Sequence, residues 1–298
     1  MMIHHPFRFG VVAAQARSGD EWRAAARRAE ALGYSTFLIP DTLGQTLAPL
    51  PALAAAAAAT QTLRVGTFVL ANDMRNPVLV ARESATIDFL SGGRFELGLG
   101  AGRPSAGDDN RKLGIPFDSG GVRVERLAEA LGIIKALLGG QRATATGPHY
   151  AVADADIFPR PVQQPRPPIL LAAGGKRLLA LAAREADIVA LAVPPDTNRA
   201  AVEEKIGWLR QEAGERFSQL ELGVNLMVVG QQAPAWMPPG MDLAKLLQSR
   251  SLAVAMGTID EICDQLLERR ESLGISYIMV ADALKEGFAP VVERLAGR

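Results

Sequence analysis

Cysteine occurs once in the 298 residues, at Cys263. A single thiol excludes an intrachain disulfide and any zinc cluster built on cysteines. Histidine is nearly as scarce. His4, His5 and His149 stand too far apart for a motif such as H-E-x-x-H, so no metal site is expected. A surplus of one charge is also missing, with Lys plus Arg at 32 and Asp plus Glu at 32. That balance argues against a nucleic-acid partner but leaves room for a local basic pocket. No apolar run approaches the roughly 20 residues of a membrane helix. The Ala54–Ala59 stretch is too short and too weakly apolar. The segment Met1 to Phe9 lacks the charged-then-apolar pattern of a signal peptide, so a cytoplasmic location is expected. Aromatics are only 5% against 48% hydrophobic residues. A core of Ala, Leu and Val suits helices and buried parallel strands better than a β-sandwich. No G-x-S-x-G, P-loop or paired-carboxylate arrangement is present.

What is present is an alternation. Strand-like runs fall at Phe7–Ala13, Ser35–Pro40, Leu63–Leu70 and Arg94–Gly98. Helical patterns separate them, starting at Ser18, Leu50 and Pro77, the first with Asp20 and Glu21 in its opening turn. From Gly98 to Pro168 the rhythm breaks. One helix, Val122–Leu138, stands in a stretch rich in Gly, Pro and Asp, read here as an insertion over the active face. The alternation resumes with strands at Ile169–Ala172, Asp187–Val193, Leu220–Val229 and Ile275–Ala281. Helices are predicted over 176–185, 198–213, 258–273 and 287–295, and a second insertion over 231–256. Eight strand–helix units imply right-handed βαβ crossovers and a parallel sheet closed as a (β/α)8 TIM barrel. The insertions then follow strands four and seven. No linker divides the chain, so a single domain over residues 1–298 is expected.

Chemistry in such barrels lies at the C-terminal strand ends. Asp41 and Thr42 follow strand two, Asn72, Asp73 and Arg75 follow strand three, and Asn225 follows strand seven. Gly98-Leu99-Gly100-Ala101-Gly102-Arg103 follows strand four. Ala172-Ala173-Gly174-Gly175-Lys176-Arg177 follows strand five. Two glycines opening a helix right after a strand form an anion site, because free N–H groups and the helix dipole both face the ligand. Lys176 and Arg177 add positive charge; the alternative is a plain tight turn. The run Gly98-x-Gly100-x-Gly102 is not a dinucleotide fingerprint, since the spacing is wrong and no helical pattern starts at Gly102. Its glycines are read as clearing room for a flat ring. Asp41 can bond a ring N–H, hold Arg or Lys, cap a helix, or stand as a surface carboxylate.

Four stretches in order resemble the luciferase-like monooxygenase superfamily: IPDT at 39–42, NPVLVARESATIDFLSGGRFELGLGAG at 76–102, AAGGKRLLALAAREADI at 172–188 and GTIDEICDQLLERRESLGISYIMV at 257–280. The overall pattern is most similar to the deazaflavin-dependent branch. The resemblance implies a barrel whose mouth holds a flavin or deazaflavin, with the phosphate at Ala173, Gly174, Gly175 and Lys176. It implies a non-proline cis peptide at Phe68–Val69 backing the ring, beside Gly100, Ala101 and Gly102. It implies hydride transfer between coenzyme F-420 and a small organic substrate. The alternatives are an FMN-dependent two-component monooxygenase fed by a reductase, and a non-catalytic flavin-binding barrel. Sugar-phosphate and alcohol dehydrogenases of this group carry His after the Asp, where this chain has Thr42. The sugar-phosphate enzymes carry Glu where this chain has Arg103. Their acid/base pair is therefore missing. Asp41, Thr42, Asn72 and Arg103 are expected around the reactive face, with Arg103 polarising an anionic or carbonyl-bearing substrate. The final proton is expected from water or from the substrate. Family members pair through helices of the first half, and the Ala54–Ala59 run offers a smooth face for a homodimer.

Overall fold

Apolar runs bounded by glycine or capped helices become the strands. In the computed structural model, which describes residues 5–231 and 242–298, they are β1 (Arg8–Val12), β2 (Thr36–Ile39), β3 (Arg64–Thr67), β4 (Leu70–Ala71), β5 (Phe95–Gly100), β6 (Ala143–Thr146), β7 (Ala151–Ala155), β8 (Ile169–Ala173), β9 (Ile188–Leu191), β10 (Glu221–Leu226), β11 (Val228–Gly230), β12 (Val254–Met256) and β13 (Ile275–Ala281). The helices are α1 (Gly19–Ala31), α2 (Pro49–Ala58), α3 (Pro77–Ser91), α4 (Gly107–Leu113), α5 (Gly120–Leu138), α6 (Lys176–Glu185), α7 (Arg199–Ala213), α8 (Leu243–Gln248), α9 (Ile259–Leu273) and α10 (Lys285–Leu295). The main sheet runs β3-β2-β1-β13-β10-β9-β8-β5-β4, and β3 also pairs with β5. β3 and β4 are two halves of one interrupted strand. Eight parallel strand positions thus close into a (β/α)8 barrel. Among the described residues no helix is long and apolar enough to cross a membrane.

Two compact units make up the chain. The first contains residues 5–13, 28–37, 173–231 and 242–298. Its core is β13, paired in parallel with β1 on one side and β10 on the other. Tyr277, Ile278, Met279 and Val280 are fully buried there, with Phe9 and Phe288. α9 opens with a capping box in which Thr258 and Glu261 exchange hydrogen bonds, and it stops at Gly274 in the left-handed region.

The second unit contains residues 14–27 and 38–172. Asn76 caps α3 by accepting from the Val78 and Leu79 amides, and Pro77 occupies the first turn. The family-like stretch after it is a scaffold. Asp88, fully buried, accepts from the Val162 and Gln163 amides at 2.7 and 3.0 Å. Arg94 donates to the carbonyls of Leu63 at 2.6 Å and Ala57 at 2.9 Å. These bonds fix α2, α3 and the approach to β8 before any chemistry enters.

Both insertions hold more structure than their composition predicts. The first contains α4 and an antiparallel hairpin, β6–β7, where only one helix is expected. A 3-10 turn, Pro104–Ala106, leads directly into α4, so helical structure does follow the glycine run, but its spacing is still not that of a fingerprint. In the second insertion α8 and β12 form, and β12 pairs in parallel with β11, splitting the seventh strand in two. Positions 232–241 of that insertion, and His4, lie outside the described residues.

Candidate active site

The interruption in strand three shapes its C-terminal end. The Phe68–Val69 peptide is cis, as the resemblance implies. The Phe68 amide turns to the Ile39 carbonyl at 2.7 Å. Thr67 Oγ1 accepts from the Gly98 amide and donates to the Gly98 carbonyl, both at 2.8 Å. A Cβ at position 98 would lie 1.9 Å from the Thr67 carbonyl oxygen, and one at 100 would lie 2.7 Å from Val69 Cγ2. The space these two glycines leave is therefore filled by the chain's own strand. Gly102 differs: its φ of 81° needs glycine, and the Arg123 guanidinium sits 2.8 Å from where its Cβ would be.

Around this bulge the polar groups are tied in pairs. The Asp41 carboxylate binds Arg75 at 2.7 Å and accepts from the Ala71 amide at 3.1 Å. Of the roles open to Asp41, the structure shows the one that holds an arginine. It clamps the second half of strand three. Thr42, buried, accepts from Arg103 Nη2 at 3.0 Å, while the rest of Arg103 is exposed. Asn72, buried, donates through Nδ2 to the Tyr150 hydroxyl at 3.3 Å. Asp73 pairs with Arg126 at 2.7 Å. Arg123 donates to the carbonyls of Ala101 at 2.7 Å and Gly102 at 2.6 Å, and stacks 4.2 Å from the Phe117 ring centroid. Tyr150, Arg123 and Arg126 are absent from the sequence expectations. Tyr150 stands 78 residues from Asn72, and no local pattern links them. Burial pushes the Tyr150 phenol up, while the Asn72 hydrogen bond and the Arg126 charge pull it back; the net direction is upward.

The other candidate loop follows β8. Ala173 accepts from the Ala192 amide at 2.9 Å as an ordinary strand edge. A Cβ at 174 would lie 1.9 Å from the Ala192 carbonyl oxygen, so Gly174 is required by packing. Gly175 faces open space and sits at the N-cap of α6 with no side-chain cap. The first-turn N–H groups of α6 are thus left without a capping side chain, as an anion site requires. Lys205, which sequence reasoning does not single out, donates from Nζ to the Gly174 carbonyl at 2.8 Å. Lys176 and Lys205 place their ammonium groups 5.5 and 5.3 Å from the centroid of the Trp208 ring.

The luciferase-like monooxygenase profile matches residues 1–236. The chain belongs to that family. Within it, 167 residues are 36% identical to an F-420-dependent glucose-6-phosphate dehydrogenase of Beutenbergia cavernae, covering 53% of this chain and 48% of that one. The matched stretch spans about half the length of the relative. Among solved structures, the F-420-dependent tetrahydromethanopterin reductase of Methanopyrus kandleri superposes with a TM-score of 0.78 at 18% identity, over 98% of this chain and 99% of that one. An F-420-dependent secondary alcohol dehydrogenase holding an F-420–acetone adduct gives 0.77 at 19%, again over 98% and 99%. At such identities the superpositions carry the barrel fold.

Proposed function

We propose that this family member is an F-420-dependent oxidoreductase that reduces a polarised double bond in a small organic substrate. The observation that carries this reading is the Arg103–Thr42 hydrogen bond. It fills the place of the acid/base pair of the sugar-phosphate dehydrogenases with a fixed cation and a hydroxyl. Neither takes a proton from an alcohol near pH 7, whereas an exposed guanidinium is suited to a carbonyl gaining negative charge. Kinship with F-420-dependent relatives supports the cofactor. When bound, reduced deazaflavin supplies a hydride.

Two separate sets of residues, one in each unit, suit two parts of such a group. Phe68 and Val69, with Gly100, Ala101 and Gly102 beside them, back the ring, and Asp41 steadies that wall through Arg75 and Ala71. Ala173, Gly174, Gly175 and Lys176 take the phosphate, with Lys205 added. The open space at Gly175 and the uncapped α6 support this half. Thr42, Asn72 and Arg103 face the substrate. The protein works as one cytoplasmic domain, with a separate F-420 reductase as its supplier of reduced cofactor.

Titration of the purified protein with F-420 and with FMN, followed by fluorescence, tests the cofactor. Loss of reduced F-420 absorbance with activated enones tests the reaction. Saturable FMN binding without F-420 binding overturns the reading in favour of the monooxygenase. F-420 binding with no turnover on any acceptor favours a carrier.

A homodimer is also proposed. Ala56 and Ala57 are buried within the chain's own second unit, so the alanine run is in part a core stripe. On α3, however, Leu79, Phe89 and Leu90 are 46, 57 and 66% exposed, an apolar surface that a second copy would cover. Sedimentation at micromolar concentration is expected at twice the 31.7 kDa chain mass, and a value at that mass rejects the dimer.

A further inference from the structure

We propose that Tyr150 is the proton donor of this reaction, delivering its phenolic hydrogen to the substrate atom that becomes electron-rich as hydride arrives. The inference rests on the functional reading above, that a polarised double bond is reduced.

Ala71, the last residue of β4, is in register with Gly100. Asn72 therefore stands at the C-terminal end of strand three, where barrel chemistry occurs, and the Tyr150 hydroxyl meets it there. Asn72 Nδ2 is the donor, so Tyr150 Oη accepts and keeps its own hydrogen free for another acceptor. The loop carrying Tyr150 is fastened by its main chain. The Glu129 carboxylate accepts from the His149 and Tyr150 amides at 3.1 and 2.8 Å. Gly147 makes room for that carboxylate, since a Cβ there would lie 2.0 Å from Glu129 Oε1. The Gly147 amide closes the loop on the Tyr150 carbonyl at 3.1 Å. The ring itself is only half-buried, so packing is not what this construction serves.

The remaining groups leave the post open. Arg103 is bound to Thr42, and Asp41 is engaged by Arg75. Three charged groups face the phenol: Arg126 and Glu129 from α5, and Asp73 from the turn after β4. Burial with the two carboxylates keeps the phenol protonated at neutral pH. The Asn72 amide and the Arg126 cation stabilise the phenolate once the proton has left.

For an enone, the substrate β-carbon gains a hydride with its electron pair from the reduced deazaflavin, which is oxidised by two electrons. The Tyr150 O–H bond breaks and a C–H bond forms at the α-carbon. The phenolate, held by Asn72 Nδ2–H, recovers a proton from water.

Tyr150→Phe removes one oxygen and keeps the ring. The chain has three tyrosines. Tyr277 is fully buried, and burial pushes the Tyr34 phenol well up, so Tyr150 is the phenol to titrate first. Ultraviolet titration of the cofactor-free protein should lose its first phenol step in Tyr150→Phe. The step should move to higher pH in Asn72→Leu, which lacks the donor. In the loaded enzyme, Tyr150→Phe should bind F-420 as the parent does but reduce enones roughly 10²–10⁴-fold more slowly. The parent rate should fall as pH rises through the phenol pKa, and that limb should vanish in the variant. An unchanged rate and pH profile in Tyr150→Phe overturns the proposal, as does a first phenol step indifferent to Asn72→Leu. Weakened F-420 binding with an unchanged single-turnover rate overturns it too, by making Tyr150 a ring contact. Failure of the parent to bind F-420 overturns the functional reading instead.

Discussion

The loop after β5 and the loop after β8 both follow a barrel strand and both are rich in glycine, yet they are finished in opposite ways. After β5 the chain satisfies itself. Arg123 binds the Ala101 and Gly102 carbonyls, and Thr67 clasps Gly98 within β5 itself. After β8 the chain withholds a partner. Gly175 caps α6 with no side chain, and open space lies beyond it. The difference separates two uses of glycine. In the first loop glycine admits the protein's own backbone and fixes a surface. In the second, Gly174 admits the Ala192 carbonyl, and Gly175 leaves the first-turn amides of α6 without a capping side chain.

The comparison breaks most violently at Gly98. A valine there would drive its Cβ into the Thr67 carbonyl, a backbone atom that cannot swing aside. A loss above about 4 kcal/mol is expected, seen as little soluble protein or a collapsed urea midpoint. Gly100→Ala meets only the tip of Val69, and about 1–3 kcal/mol suffices there.

Next in size is Arg103→Met. Transition-state stabilisation of about 2–4 kcal/mol should disappear from kcat/KM with enones, while the urea midpoint holds. A parent-like kcat/KM removes Arg103 from the site.

Asp41→Asn is smaller. It keeps an acceptor for the Ala71 amide but leaves the part-buried Arg75 without its counter-charge. About 1–3 kcal/mol of stability should be lost in denaturant unfolding. No loss would mean that the clamp is decorative.

The smallest change in stability comes from Gly175→Asp, and its sign is the informative part. An aspartate at the N-cap should add a few tenths of a kcal/mol to stability. Its carboxylate should also take the amides meant for a phosphate, so F-420 affinity should fall about tenfold or more. A variant that melts higher and binds worse confirms that the missing cap is functional. Equal affinity in the variant places the phosphate elsewhere.

Much of this architecture is legible in the chain. All eight strand positions fall where the apolar runs predict them, because buried parallel strands are continuous apolar segments with glycine or caps at their ends. The β6–β7 hairpin escapes because its residues, ATAT and AVADA, are small and mostly exposed, and the Ala/Thr alternation of β6 spans only four weakly apolar positions. The site is legible only in part. Thr42 and Arg103 can be named from their places after strands two and four, but their contact across 61 positions cannot. Lys205, Arg123 and Tyr150 share one difficulty. Each reaches a strand-end loop from a distant element, and sequence spacing carries no record of such a reach.

Trp208, flanked by two ammonium groups, has an optical consequence. Indole emission responds to nearby charge, and the chain holds only three tryptophans. Trp22 is buried and bonded to the Ala52 carbonyl, and Trp236 lies outside the described residues. Lys205 touches both the indole and the carbonyl of Gly174. An anion settling on the first turn of α6 would draw the ammonium groups toward itself and change the field on the ring. The protein thus carries its own dye beside the loop after β8, one whose emission would report an anion placed there without any label.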